Sequence, residues 1–168
     1  MRFRAPFLAS VFAGLILLAA CAPRTTPLAG TRDSPAAVAQ AVLEAVTAGN
    51  SAALASLTLS EREFRDHIWP ELPSARPERN LPFSYVWGDL HQKSGASLAA
   101  TLGRYRGARL TLVDVRLGEA TPYQTYTVHR DSVFVVRTAD GATEDVRMCG
   151  SLVEQAGRWK VFSYVTND

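Results

Sequence analysis

The chain has 168 residues, of which 47% are hydrophobic and 20% are charged, with 11 Gly, 9 Pro and 2 Cys. This length suits one domain, and the apolar fraction excludes a wholly disordered chain. Two cysteines are too few for a small disulfide scaffold, and no repeat is visible at the spacing of a solenoid or a propeller.

The N-terminus has the pattern of an export signal. Arg2 and Arg4 precede an apolar run from Leu8 to Leu18, which is well short of the ~20 residues that a membrane-spanning helix requires. The run ends in Leu18-Ala19-Ala20-Cys21, which resembles the lipobox of bacterial lipoproteins.

The lipobox resemblance implies that residues 1–20 are a signal peptide and that Cys21 is acylated and becomes the new N-terminus. Two or more acyl chains on one residue anchor a protein stably, where a single chain would be marginal. Ala22 rather than Asp follows the cysteine. Under the sorting pattern of enteric bacteria, this implies a lipoprotein of the outer membrane that faces the periplasm.

Removal of residues 1–20 changes the charge balance. The full chain has 18 basic and 16 acidic residues, for a net charge of +2. The signal contains Arg2 and Arg4 and no acidic residue, so the mature chain has a formal net charge of zero. Because nucleic-acid-binding domains normally carry a basic excess, we expect no nucleic-acid partner.

Cys149 is the second cysteine, and it has no disulfide partner if Cys21 carries lipid. It lies in an apolar stretch that we predict to be a strand, where a free cysteine usually behaves as a small buried hydrophobe. A catalytic thiolate would need an adjacent base or cation, and this alternative stays open.

Residues 21–33 contain Pro, Thr and Gly without a periodic apolar face. This composition predicts a lipidated cysteine followed by a flexible tether, with a single domain over residues 34–168. In extended form, at ~3.1 Å per residue, such a tether would hold the domain up to roughly 40 Å from the bilayer.

The first half of the domain has helical signals. Ser34 and Pro35 are a good N-cap and first helical residue, and Gly49-Asn50 closes the segment. A short second helix follows. Ser60 and Glu63 then form a capping-box pattern before a third helical segment that ends at Pro70.

A proline-rich loop and a longer helix come next. The loop reaches about Leu81 and is too rich in proline for a central strand. Phe83 to Tyr105 has helical spacing, although three glycines weaken the prediction by ~1 kcal/mol each.

The second half of the domain has strand signals. Its order, helices first and then a mostly antiparallel meander, predicts an α+β domain with the N-terminal helices packed on one face of a curved sheet. The predicted strands are Arg109–Leu117, Tyr123–His129, Asp131–Thr138, Thr143–Val153 and Arg158–Val165.

These features together resemble the nuclear transport factor 2-like superfamily, the cone fold shared with ketosteroid isomerase and polyketide cyclases. The resemblance rests on the first helix with Ala48-Gly49-Asn50, the Ala/Leu helix 52–57, the later helix before the meander, and the ending Gly157-Arg158-Trp159-Lys160-Val161. It implies a pocket at the open end of the cone. The proline-rich stretch departs from the family pattern.

The densest polar and aromatic cluster is Tyr85, Trp87, Asp89 and His91. Trp87 and His91 are four residues apart and can stack on one helix face, whereas Asp89 and His91 point in different directions. We expect Tyr85 and Trp87 to line a pocket. His91 is either a satisfied core histidine or a pocket acid/base, since its ordinary pKa near 6.5 suits proton transfer.

Two further candidates lie outside this cluster. His67 and Trp69 lie near the end of a short helix, where Trp69 either anchors the core or lines the pocket and His67 is a second acid/base candidate. Asp114 shares its predicted strand face with Leu110 and Leu112. It is therefore either an inward-facing carboxylate or part of a salt bridge at the rim.

The sequence gives no sign of a metal or a cofactor. His67, His91 and His129 have no His-x-x-x-His or Cys-x-x-Cys spacing among them, so we expect no metal site. The sequence also lacks the motifs Gly-x-Gly-x-x-Gly, Walker-type and Gly-x-Ser-x-Gly. We therefore expect no cofactor of the kinds that such motifs bind.

Three functions stay open. The first is a lipid-anchored, periplasm-facing module that binds a small apolar ligand or an envelope protein. The second is a cofactor-free isomerase, lyase or cyclase that uses His91, Asp114 or His67 for proton transfer. The third is an envelope protein that forms homodimers through its open sheet face. An enzyme requires at least two of Tyr85, His91, Asp114 and His67 around one ligand position.

Overall fold

The computed structural model describes residues 26–166. The predicted signal peptide (residues 1–20) and the predicted lipidation site Cys21 lie outside the described residues. Within residues 26–166, helices precede two antiparallel sheets, which confirms the α+β class. The helices are α1 (Pro35–Ala48), α2 (Ser51–Leu57), the single turn α3 (Glu61–Glu63) and α4 (Phe83–Tyr105).

The ends of α1 are formed by the residues that predicted them. The Ser34 Oγ accepts a hydrogen bond from the Ala37 N–H at 3.1 Å, and Pro35 occupies the first turn, where its missing N–H costs nothing. Gly49 ends the helix in the left-handed conformation, at φ 67°. Glycine adopts this conformation without steric cost.

The predicted capping box is present at α3. The Ser60 Oγ accepts from the Glu63 N–H at 3.2 Å, and the Glu63 carboxylate accepts from the Ser60 N–H at 2.8 Å. The chain continues into a π-helical turn, Phe64–Ile68, and a 3₁₀ turn that contains Pro70. The buried Tyr126 hydroxyl donates to the Ile68 carbonyl at 3.1 Å, so that this carbonyl at the end of the turn is satisfied.

The strands form two sheets rather than the one curved meander that we predicted. A three-stranded sheet has the order β1-β4-β5 and a four-stranded sheet has the order β2-β3-β6-β7, with antiparallel neighbours throughout. The strands are β1 (Thr111–Arg116), β2 (Ala120–Pro122), β3 (Thr127–Arg130), β4 (Val133–Arg137), β5 (Thr143–Val146), β6 (Ser151–Gln155) and β7 (Arg158–Ser163).

The predicted strand Thr143–Val153 is two strands, because the chain changes sheet between β5 and β6. At Gly150 a Cβ atom would lie 1.4 Å from the Val165 carbonyl oxygen, so only glycine allows the two backbones to approach this closely. Cys149 lies in this connection and not in a strand. It is nevertheless fully buried, as we expected.

Two apolar clusters fill the space between helices and sheets. The larger packs α1 and α2 against residues such as Phe134, Val136 and Met148, all fully buried. The smaller joins Phe64 and Ile68 to the four-stranded sheet. Helix α4 lies across both clusters, and its apolar side chains remain only partly buried.

Residues 28–33, here called the strap, are docked on the domain and are not part of a free tether. Arg32 and Trp159 exchange two backbone hydrogen bonds of 2.8 Å at the outer edge of β7. Leu28 is 4% exposed and anchors the other end of the strap. A single apolar residue has no periodicity, and for that reason the composition of this segment indicated a tether.

Candidate functional site

An apolar cleft of about 550 Å³ lies between α4 and the end of α2. Five α4 residues at helical spacing form one wall, and the segment that runs from α2 to α3 forms the other, with Tyr164 completing the lining. These residues, which define the apolar cleft, are Trp87, His91, Ser94, Gly95 and Leu98, then Ala55, Thr58, Leu59, Ser60 and Glu61, and Tyr164. Its size is in the ordinary range for small-molecule sites.

Trp87 and His91 stack in this cleft, as their spacing predicted. Their ring centroids are 5.5 Å apart with an angle of 29° between the planes. The indole also packs against Phe64, at 5.3 Å between centroids, so Trp87 is held from the core side. His91 is exposed, and the core-histidine alternative is therefore wrong.

Buried hydrogen bonds fix the inner lining of the apolar cleft. The Tyr164 hydroxyl donates to the Leu54 carbonyl at 2.9 Å, and the Tyr164 N–H donates to the Ser94 Oγ at 3.0 Å. Burial raises the pKa of Tyr164 far above its ordinary value, so this phenol is neutral. These polar groups are used within the protein, which leaves the cleft surface mainly apolar.

Gly95 contributes no side chain to the lining of the apolar cleft. A Cβ atom built at this position meets no heavy atom within 4 Å. The residue lies in a helix interior, where glycine is less favourable than alanine by about 0.5–1 kcal/mol. The empty volume therefore comes with a cost in helix stability.

A second cleft of about 360 Å³, the strap cleft, adjoins the first. It is lined by Thr26, Pro27 and Ala29 at the start of the described chain, and by Glu63, His67 and Lys160 among others. Ala55, Thr58 and Ser60 line both clefts. The two clefts thus share part of their lining, at the end of α2 and just after it.

A buried ion pair holds the strap in place. The Lys160 Nζ lies 2.9 Å from Glu63 Oε2, and the exposed fractions of the two side chains are 4% and 11%. The same ammonium donates to the Ala29 carbonyl at 2.8 Å, and the Glu63 carboxylate accepts from the Ala29 N–H at 2.8 Å. Both backbone groups of Ala29 are therefore bound by charged partners.

Glu63 is ionised in this arrangement. Burial alone would raise the pKa of its carboxyl group, but the hydrogen bonds from the Ser60 N–H, the Lys160 ammonium and the Ala29 N–H outweigh that effect. The pKa of Glu63 therefore lies below the ordinary value of 4.5.

The predicted acid/base residues are not brought together. His91 lines the apolar cleft and His67 the strap cleft. Tyr85 is 63% exposed and lines neither of these two clefts, so its place in a pocket stays a prediction. Trp69 packs edge-on against Phe83 at 5.7 Å between centroids, which fits the core-anchor alternative.

Asp114 faces solvent, and its predicted inward orientation is wrong. A β-bulge interrupts the pairing of β1 with β4, because Leu112 lies opposite Val136 and Asp114 lies opposite Val135. The extra residue, Val113, shifts the alternation by one, so that every later side chain changes face. The Asp114 carboxylate instead accepts from the neighbouring Val115 N–H at 2.8 Å.

Cys149 is an unreactive thiol in this environment. Burial raises its pKa to about 12, and no cation or base is among the causes of the shift. Of the residues that line the apolar cleft, sequence reasoning singled out Trp87 and His91 and missed the others, among them Ser60, Gly95 and Tyr164. The capping box located Ser60, but nothing in the pattern indicated that it would line a cleft with α4.

Glu61 contributes a carboxylate to the lining of the apolar cleft. It forms an ion pair with Arg65 at 2.5 Å, and both side chains are about half exposed.

Among residues 26–166, no group of three His, Cys, Asp or Glu side chains is arranged to hold a metal ion. In the same part of the chain, no helix combines the length and the hydropathy needed to cross a bilayer.

Comparison of the chain with protein-family models, with curated proteins and with solved structures finds no match. The site must therefore be interpreted from its own geometry.

Proposed function

We propose that this protein is a lipid-anchored, periplasm-facing lipoprotein of the outer membrane whose domain binds a small apolar ligand in the apolar cleft. The observation that carries the proposal is the cleft itself, which has an aromatic wall at Trp87, an aliphatic one at Leu98 and open space above Gly95. Concave, mainly apolar surfaces with a few fixed polar groups are typical of small-molecule sites.

The proposal includes an assignment of the domain as a variant of the nuclear transport factor 2-like cone. It is supported by the order of helices before strands and by the packing of α1 on the sheets. The ligand site would then differ from the pocket that the resemblance implies. Buried side chains such as Phe134 and Met148 occupy the space between the helices and the three-stranded sheet, and the apolar cleft lies outside it.

Binding is favoured over catalysis because of where the acid/base candidates lie. Only His91 of the four candidate residues lines the apolar cleft, and Tyr164 is neutral and engaged with a backbone carbonyl. A proton-transfer enzyme needs an acid and a base around one reacting atom. Homodimerisation stays a prediction, with exposed Val113 and Leu117 near β1 as its apolar surface.

The ligand proposal is tested with matched glycine variants of the mature chain carrying Cys21→Ser. Gly95→Leu adds a side chain inside the cleft, whereas Gly103→Leu adds the same side chain elsewhere on α4, also with no atom within 4 Å of its Cβ. The probe is cis-parinaric acid, a fluorescent fatty acid, and energy transfer from tryptophan reports its binding.

We expect Gly95→Leu to weaken probe binding by at least about tenfold, or ~1.4 kcal/mol, and Gly103→Leu to leave it unchanged. Mass spectrometry of molecules that copurify with the parent would identify the natural ligand. Equal binding by both variants, or none by the parent, would contradict the proposal.

The lipid anchor is tested separately. The wild type should partition with membranes, and the Cys21→Ser form should not.

A further inference from the structure

We propose that the docked strap holds the apolar cleft against the bilayer and that the cleft takes up the acyl chain of a membrane lipid. This inference rests on the proposed function, because it assumes that Cys21 is acylated and that the apolar cleft binds a ligand. It goes further by naming the source of the ligand and the device that presents the cleft to it.

The first step is the short reach of the chain between the predicted anchor and the domain. Only residues 22–25 separate Cys21 from Thr26, which already lines the strap cleft. A fully extended chain spans at most ~3.6 Å per residue, so Thr26 lies within roughly 18 Å of Cys21 whatever conformation these residues adopt. A free tether over residues 21–33 would have allowed more than twice that distance.

The second step is that the strap does not detach easily. Ala29 is held through both its N–H and its carbonyl by the Glu63–Lys160 pair. Leu28 is buried, and Arg32 is paired with β7. Release would expose a buried ion pair and an apolar anchor at the same time, so the short reach is a property of the folded protein.

The third step is the position of the apolar cleft next to the point where the strap begins. Ala55, Thr58 and Ser60 line both clefts. The acyl chains on Cys21 would lie in the bilayer, so Thr26 and the lining that the two clefts share would be held close to it. An apolar cleft at that place meets lipid chains at a far higher concentration than any solute of the periplasm.

The test uses the lipidated full-length mature protein in phosphatidylethanolamine and phosphatidylglycerol vesicles whose acyl chains carry bromine, a contact quencher of tryptophan. Trp87 lies in the cleft wall, and its contribution is the difference between the parent and Trp87→Phe. This comparison keeps Trp69 and Trp159 in place, so that their emission is common to both proteins. Circular dichroism checks that each variant is folded.

We expect brominated lipid to quench the Trp87 contribution in the parent and in Gly103→Leu, and Gly95→Leu to lose most of that quenching. Insertion of about twelve Gly/Ser residues before Thr26 should reduce the quenching, because the longer linker lowers the effective concentration of lipid at the cleft.

Two results would overturn the inference. One is the lack of Trp87 quenching in the anchored parent, and the other is equal quenching in Gly95→Leu, which would mean contact with lipid outside the cleft. If the Cys21→Ser chain still bound cis-parinaric acid through the cleft, the proposed function would stand and only the membrane source would fail. If it did not bind the probe, the proposed function itself would fail.

Discussion

The two neighbouring clefts differ in what occupies them. The strap cleft is bordered by the protein's own N-terminal segment, and its charges are paired inside the molecule. Within residues 26–166, no comparable segment borders the apolar cleft, and its helical wall contains a glycine in place of a side chain. The end of α2 and the residues just after it thus line both a cleft whose charges hold the strap and the cleft that we propose binds a ligand.

The largest expected effect comes from breaking the ion pair of the strap cleft. Lys160→Met should lower the free energy of unfolding by about 3–5 kcal/mol, because it leaves the buried Glu63 carboxylate without its cation. Urea unfolding followed by circular dichroism measures the loss. The double variant Glu63→Gln/Lys160→Met should be less unstable than the sum of the single variants, and additive losses would show that the pair is not coupled.

Removal of the apolar anchor of the strap should have the next largest effect. Leu28→Ala should cost about 2–3 kcal/mol, since it deletes a buried side chain. The same unfolding assay measures this loss of stability. The control is Pro27→Ala, a substitution at the neighbouring residue, which is exposed. A loss below about 0.5 kcal/mol, the range of ordinary surface substitutions, would mean that the strap is not docked in solution.

Acid should weaken the strap more gradually. Because the pKa of Glu63 is lowered in the folded state, its ionised form contributes stability that is fully present above pH 4.5, the ordinary value, and is lost as the pH falls through the folded-state pKa. When the free energy of unfolding is measured from pH 6 downwards, it should decrease once the pH is below about 4.5. Glu63→Gln should show a smaller dependence over the same range, and identical curves would exclude Glu63 as the source.

The smallest effect is expected in the apolar cleft, and it has the opposite sign. Gly95→Ala should raise the free energy of unfolding by about 0.5–1 kcal/mol, because the helix gains a better residue and the new Cβ meets open space. Gly49→Ala, the same substitution at φ +67° and against the Arg106 side chain, should instead destabilise the protein. Thermal unfolding distinguishes the two signs, and a loss of stability in Gly95→Ala would show that the cleft is not empty.

Local signals in the sequence predicted the helices well, because caps and prolines act within a few residues. Ser34, Gly49 and the Ser60–Glu63 box form the predicted ends. The sheets were harder to predict, since pairing joins distant residues. The bulge at Val113 and the change of sheet at Gly150 depend on partners that no local pattern reveals.

The candidate site could be predicted only on its helical side. The four-residue spacing of Trp87 and His91 placed both rings on one face of α4, and both line the cleft. The opposite wall comes from a segment about thirty residues earlier, and its position depends on tertiary packing. The predicted inward orientation of Asp114 was wrong for a related reason, because one inserted residue reverses the alternation of side chains along a strand.

The strap also closes one border of the four-stranded sheet. β7 is the last strand of that sheet, and Arg32 pairs with it on the side where a further strand could otherwise add. At the opposite border, β2 has three residues and ends in Pro122, which has no N–H to donate. Copies of this sheet would therefore find no free border long enough to template cross-strand aggregation.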